Sequence, residues 1–491
     1  MKDRLAWLGL AAGAITAALI ALDVPQGLRG PESWRWGRRP LEDPVRFLAA
    51  VLPFVALIGV AAGIRRRWGR RRNVTRLPSL AAAVIVVFAQ MALLTWVEPG
   101  GLSNLPRRVM DPSFTSYHTI ARDVDDVCEF LRGYHRRQAT FPVHGPSQPP
   151  GRVLFFRAVN EWASDPARTP ALLAAGERLG GVPAGPPGTT DGQRAGAFAA
   201  AWLLVAIGAL CLVPLVSIVG GRSDPAAVAA TVLLAGCLPG YLLFTPQTDH
   251  LVLLLSLTAA ALLVEAMRFA SRWWAAAFAF GAGLAAGAGV LFSLTTLAAL
   301  LGWGLAFAGM VAFAVRRNVP MPTPRKAVLS TLAGVAGLAV VPAAAAAAGL
   351  DWPAVVRECL AGAHRVQVLV HGRDFATWVR WNLWDFALFL GPPLALVALA
   401  RAGEEVAAFR ARTPTSPEIP FAAALLAAVI VLDLSGTILG ETGRIWMFLM
   451  PLGVAAAASH LASRPLTSAL PLAAGQFLVL LALRAFVDVP G

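Results

Sequence analysis

Two stretches of this 491-residue chain, 197–219 and 468–486, run almost uncharged for the length needed to cross a bilayer. Backbone N–H and C=O groups in hydrocarbon find no water to bond. Segments of this kind therefore satisfy their backbone internally, as helices in an uninterrupted apolar run. Hydropathy extends the pattern to about thirteen spans: 5–22, 46–63, 78–96, 197–219, 226–245, 250–267, 273–291, 295–315, 327–349, 382–400, 419–434, 445–461 and 468–486. The expected fold is all-α, a polytopic transmembrane bundle. N-terminal spans occupy 1–96, a long extracytoplasmic loop 97–196 and a C-terminal transmembrane bundle 197–491. Met1–Leu22 reads as a retained first span, because no cleavage site follows it.

Composition agrees with a membrane solvent. Hydrophobic residues make up 57% and charged residues 14%, against about 25% charged in soluble domains. That leaves too few polar groups to cover water-facing domains. The net charge of +14 comes almost wholly from arginine, Lys2 and Lys326 being the two lysines. The arginines are scattered between apolar runs and form no basic face, which argues against nucleic acid as a partner. They read instead as topology signals. The run Arg65-Arg66-Arg67-Trp68-Gly69-Arg70-Arg71-Arg72 anchors one loop to the cytoplasm and with it the N-terminus. Loops 268–272, 316–326 and 401–418, carrying Arg268, Arg272, Arg316, Arg317, Arg325, Lys326, Arg401, Arg410 and Arg412, obey the same assignment. Segments 23–45, 97–196, 350–381 and 435–444 then face outward. Cys211 and Cys237 fall in apolar runs as small core residues, while Cys128 and Cys359 share the outer side and are candidates for a disulfide.

A connection as long as 97–196 is usually functional or disordered. Helices are expected over 120–137 and 152–163; Phe155, Phe156, Val159 and Trp162 share one face, suited to the membrane interface or to a small loop core. Residues Gly180–Gly188 read as a linker back to the membrane.

The candidate chemistry collects at the outer rim. Asp111, before Pro112, fits a helix cap and equally a general base. Gln148 precedes Pro149-Pro150-Gly151. Asp249 and His250 close the short turn Phe244–His250, where Asp249 suits a cap or a contact to a phosphate or hydroxyl. Arg380 and Asp385 lie among Trp378, Trp381 and Trp384, an interfacial belt or a stacking surface. Glu441 and Arg444, three apart in Gly440–Trp446, form an ion pair or a clamp in which the Arg444 fork holds a phosphate. Asp433 sits close to the same rim. No metal-ligand spacing and no nucleotide-binding fingerprint is visible.

This arrangement resembles the GT-C superfamily of polytopic membrane glycosyltransferases, the polyprenyl-phosphate-sugar-dependent and protein mannosyltransferase-like enzymes. The resemblance rests on the many spans, the long outer loop opening at Asp111, and the stretches Thr245–Asp249 and Gly440–Arg444. Gln148 stands where relatives often carry His before paired prolines, and Asp111 lacks a second adjacent acid. The resemblance implies transfer of a sugar, with inversion, from a lipid-linked donor to an envelope glycan, lipid or protein hydroxyl outside the cell membrane. Asp111 would be the base, Arg444 and Arg380 would hold the phosphate, and no cofactor is implied. The alternatives are a secondary transporter, for which Glu265 and Asp433 are the relevant residues, and a non-catalytic membrane protein of an envelope pathway.

Overall fold

The structure is a computed structural model that describes residues 2–68, 76–220, 224–317, 323–411 and 419–489. Among the described residues the fold is all-α apart from one antiparallel pairing of two-residue strands, Gly37–Arg38 with Val487–Asp488. Among the described residues nine helices are long and apolar enough to span a membrane: Arg4–Leu22, Pro44–Arg66, Leu77–Trp96, Asp191–Gly220, Asp249–Arg268, Arg272–Phe292, Thr295–Arg316, Pro324–Ala347 and Leu466–Phe486. A tenth span results if Phe375–Leu390 and Pro392–Ala411, bent by 108° at Gly391, count as one. The expected count of thirteen is not reproduced. Pro225–Ala235, Phe421–Leu434 and Met447–Leu461 are apolar but too short. Hydropathy sums over a window and so passes through the break at Gly236, where apolar residues continue without regular helix, and it does not separate a short apolar helix from a spanning one.

The outside of the bundle is as apolar as its inside. Leu52, Leu77, Val328, Leu332 and Val335 are all well exposed, as lipid requires of a spanning surface. The helix Pro324–Ala347 buries little of itself and leans on Arg272–Phe292 through glycine. A Cβ on Gly283, Gly287 or Gly337 would collide with backbone of the facing helix. The glycines of 281–289 therefore serve close packing, with the break coming later, at Ser293–Leu294.

Two ends of the bundle are distinct. At one, Lys326 Nζ donates to the Phe269 carbonyl at 2.6 Å and Arg316 to the Arg410 carbonyl at 3.4 Å. Contacts at this end thus join 268–272 to Lys326 and Arg316 to Arg410. Residues 69–72 of the arginine run, and Arg412, lie outside the described residues. At the other end the long loop folds onto 243–249, 292–295, 349–375 and 435–446. Its helices are Asn104–Met110, Tyr117–Arg122, Val127–Gln138, Gly151–Ala163 and Thr169–Arg178. The single helix expected over 120–137 is split, because the Asp126 carboxylate accepts from Glu129 N and starts a new helix. Residues 180–188 are irregular, and Thr190 with Gln193 forms a capping box that opens the next helix at Asp191. Cys128 and Cys359 are both free: Cys128 is exposed, while Cys359 is buried with its Sγ accepting from Gln138.

Candidate functional site

The site is assembled from four broken places in the helices. Gly151–Ala163 begins directly after Pro149-Pro150, so Arg152 stands in its first turn. Its guanidinium donates to Thr248 Oγ1 at 2.9 Å, to Asp249 Oδ1 at 2.8 Å and to the Phe292 carbonyl at 3.2 Å, and lies over the Tyr117 ring. Asp249 opens its own helix. Its other oxygen, Oδ2, is buried without a hydrogen bond and faces Arg444 Nη1 at 3.6 Å. Arg444 in turn donates to Glu441 Oε2 at 2.8 Å, and Arg373 donates to Glu441 Oε1 at 3.0 Å and to the Leu439 carbonyl at 2.7 Å. Three guanidinium groups therefore share two carboxylates in the order Arg152–Asp249–Arg444–Glu441–Arg373.

The backbone beneath this row is built to hold it. Glu441 adopts φ +56°, a left-handed conformation unfavourable for a residue with a side chain. It persists because the flanking turn is tied down on both sides. Asn382 Oδ1 accepts from Gly440 N at 2.8 Å, and Asn382 Nδ2 reaches the Ile438 carbonyl and Asp433. Asp385 accepts from Gly443 N and Trp36 Nε1, both at 2.8 Å, and from Thr442 Oγ1 at 3.2 Å. Strain held by surrounding structure is a recurrent property of functional loops.

Electrostatics follow from burial and pairing. Burial opposes ionisation of Glu441, yet Arg444 and Arg373 outweigh it and hold the carboxyl at about 2. His144, half-buried nearby, is pushed down to about 4 by burial and then by Arg444, so its ring is neutral at pH 7. Arg373 lies over Trp34 and Trp378, with 4.9 and 5.2 Å from its guanidinium carbon to the ring centroids. The row keeps some contact with its surroundings: side-chain exposures are 17% for Asp249, 22% for Glu441 and 15% for Arg444.

Of the residues singled out in the sequence, Asp249, Glu441 and Arg444 meet here. Asp385 lies just behind, anchoring the Thr442–Gly443 turn. Gln148 ties the proline turn to the bundle, its Oε1 accepting from Ser293 Oγ at 2.7 Å. His250 is fully buried, with ring nitrogens 2.8 Å from the Tyr241 carbonyl and 3.3 Å from that of Gln247. Arg380 is exposed and joins none of these ion pairs; Arg373, seven residues earlier, stands in the row. Asp111 ends the helix Asn104–Met110, and its Oδ1 accepts from Ser113 N and Oγ at 2.9 and 2.7 Å. It makes no ion pair with the row. Arg152 and Arg373 had no signal in local sequence beyond their neighbours: Pro149-Pro150-Gly151 before one and the tryptophans after the other.

A separate groove of about 620 Å³, into which no residue of the row projects, is lined by Phe155, Val159, Trp162, Leu172, Phe198 and Trp202. It starts one helical turn beyond Arg152, on the apolar face expected for 152–163. No cluster of three or more His, Cys, Asp or Glu suited to a metal ion occurs among the described residues. Comparison with protein-family models, with curated proteins and with solved structures finds no match to this chain.

Proposed function

We propose that the arginine row binds the phosphate of a lipid-linked sugar and that the protein transfers this sugar to a hydroxyl acceptor. One observation carries the reading: Arg444, partly accessible and flanked by the buried Arg152 and Arg373, stays 3.6 Å from Asp249 without a hydrogen bond to it. Guanidinium forks match paired anionic oxygens, so a phosphodiester can displace this loose contact without leaving either carboxylate unpaired. Asp249 keeps Arg152, and Glu441 keeps Arg373. The apolar groove that starts at Phe155 offers a hydrocarbon chain a place beside the head group. Clustering of basic residues at the far end supports a cytoplasmic N-terminus and an extracytoplasmic site.

In this reaction the acceptor O–H gives its proton to a carboxylate and its oxygen forms a bond to the anomeric carbon. The bond from that carbon to the phosphate oxygen breaks, the electron pair leaves with the polyprenyl phosphate, and configuration inverts. The arginines stabilise the charge gathering on the leaving phosphate. Asp111 is the proposed proton acceptor, its Oδ2 remaining available while Ser113 occupies Oδ1. Membranes assayed with radiolabelled polyprenyl-phosphate sugars test this. Wild-type protein transfers label, and Asp111→Asn loses transfer while retaining donor binding. Unchanged transfer by Asp111→Asn removes the base assignment, and wild-type activity in Arg444→Lys removes the bidentate clamp.

A second reading, translocation of an anionic lipid or solute, is favoured by the short helices Pro225–Ala235, Phe421–Leu434 and Met447–Leu461 beside broken backbone. Interrupted helices of this kind line transporter sites. Net movement of a labelled anion across proteoliposomes, with no sugar transfer from any donor, selects this reading over the first.

A further inference from the structure

A second charged cluster lies behind the site and belongs to no step of the proposed reaction. Glu98 receives Arg108 Nη2 on Oε2 at 2.5 Å and Arg484 Nη1 on Oε1. All three side chains are nearly inaccessible, Glu98 at 3% and Arg484 at 1%. The outward-facing nitrogens of the two arginines do not contact other carboxylates. Arg484 Nη2 donates to the Leu243 carbonyl at 2.9 Å and Arg108 Nη1 to the Thr245 carbonyl at 2.8 Å. Both acceptors sit in Leu243–Thr248, the buried irregular segment that delivers Asp249 to the site, and Arg152 grips the same segment from its far end at Thr248 Oγ1.

Irregular backbone inside a membrane bundle needs its carbonyls satisfied by protein. Ordinary amide or hydroxyl groups would do that. An ion triad is an expensive substitute, because burying three charges costs more than burying neutral donors. What it adds is rigidity: one carboxylate fixes two planar guanidiniums, and each fixes a separate carbonyl on the same six-residue turn.

We infer that the Glu98–Arg108–Arg484 triad positions the anion site, by clamping the Leu243–Thr248 turn so that Asp249 meets Arg152 and Arg444 together. Arg108 and Arg484 are positioning residues acting through Asp249, remote from any bound phosphate. The inference rests on the anion-binding reading of the arginine row, though the clamp itself is measurable without a ligand.

Arg108→Lys is the informative variant. Lysine keeps the charge beside Glu98 but lacks the fork that reaches the Thr245 carbonyl at the same time. In purified protein in nanodiscs, hydrogen exchange of amides 243–251 should quicken about tenfold in Arg108→Lys, with the melting midpoint close to wild type. Affinity for polyprenyl monophosphate should fall about tenfold. In an Asp249→Asn background the same substitution should change affinity less than twofold, since its route through Asp249 is already cut. Equal losses in both backgrounds overturn the positioning role, as does unchanged exchange at 243–251 in Arg108→Lys. If that variant does not fold, Arg484→Lys, which keeps a charge beside Glu98 and releases the Leu243 carbonyl, serves in its place with the same cycle. Wild-type protein that ignores polyprenyl monophosphate but shows the exchange effect overturns the anion site and leaves the clamp standing.

Discussion

The two arginine–carboxylate clusters use the same chemistry to opposite ends. Around Glu98 every carboxylate oxygen is taken, the charges are sealed, and the arginines spend their remaining donors on backbone carbonyls. Around Asp249 and Glu441 the outer arginines Arg152 and Arg373 are sealed at 3%, but Asp249, Glu441 and Arg444 keep 15–22% exposure, one carboxylate oxygen has no hydrogen bond, and one ion pair is stretched to 3.6 Å. A closed cluster can only hold shape. An open one, with each carboxylate retaining a spare arginine, can exchange a partner for a ligand. Pairing alone therefore does not mark a site, and the proposed anion site rests on the incomplete pairing of Asp249 with Arg444.

The largest expected contrast is in stability. Glu98→Ala leaves two guanidiniums buried without a counter-charge, a change that costs about 3–5 kcal/mol. Thermal melting should register a large drop. Arg444→Ala, by contrast, should melt close to wild type, because Asp249 and Glu441 each keep an arginine. Comparable melting losses in the two variants would erase the distinction between the clusters.

Affinity should show the converse. Removing a charged fork from a buried anion contact typically costs several kcal/mol. Arg444→Ala is accordingly expected to weaken binding of a polyprenyl-phosphate sugar about 100-fold, with Arg444→Lys recovering part of the loss. Titration in nanodiscs reads both.

Acid sharpens the comparison further. His118 is 1% exposed and burial holds its ring at about 4, whereas the unfolded chain takes up that proton near pH 6.5. The unfolded state thus binds more protons between these values, and stability falls as pH drops from 6.5 towards 4. Glu441 is held at about 2, against an ordinary 4.5, so what its ionised form contributes persists above pH 4.5 and fades only below it. Between pH 6.5 and 4.5 the melting midpoint should decline while affinity for the diester donor holds steady. His118→Gln should flatten the melting profile. A parallel fall in affinity would tie the site to the same titration.

The smallest effect belongs to the groove. Trp162 is half-exposed on its wall, and Trp162→Ser is expected to weaken long-chain donors about fivefold, through lost apolar contact alone. A short-chain, water-soluble phosphodiester should bind both proteins equally; equal binding of long chains as well would remove the groove from the account.

The membrane character of the chain was legible from its apolar runs. The breaks were not. Residues 236–245 are apolar enough to pass as membrane helix, yet the helix stops at Ala235, resumes for one turn at Pro239–Leu242, and gives way to an irregular stretch whose Leu243 and Thr245 carbonyls are held by arginines. Within the site, Glu441 and Arg444 were readable because they lie three apart in sequence. Asp249 joined them as a polar residue at a span end. Arg152 and Arg373 were invisible, since their partners lie 97 and 68 residues away. Long-range ion pairs leave no local periodicity. Arg380 had the right type and neighbourhood but points elsewhere, so residue type near tryptophan was a poor guide to position.

The central claim is most directly tested by an experimental density map of the protein in nanodiscs loaded with a polyprenyl-phosphate sugar. The account predicts phosphate density within hydrogen-bonding reach of both Arg152 and Arg444, with the chain running past Phe155 into the groove. Phosphate density elsewhere, or an arginine row unchanged and empty at saturating donor, would contradict it.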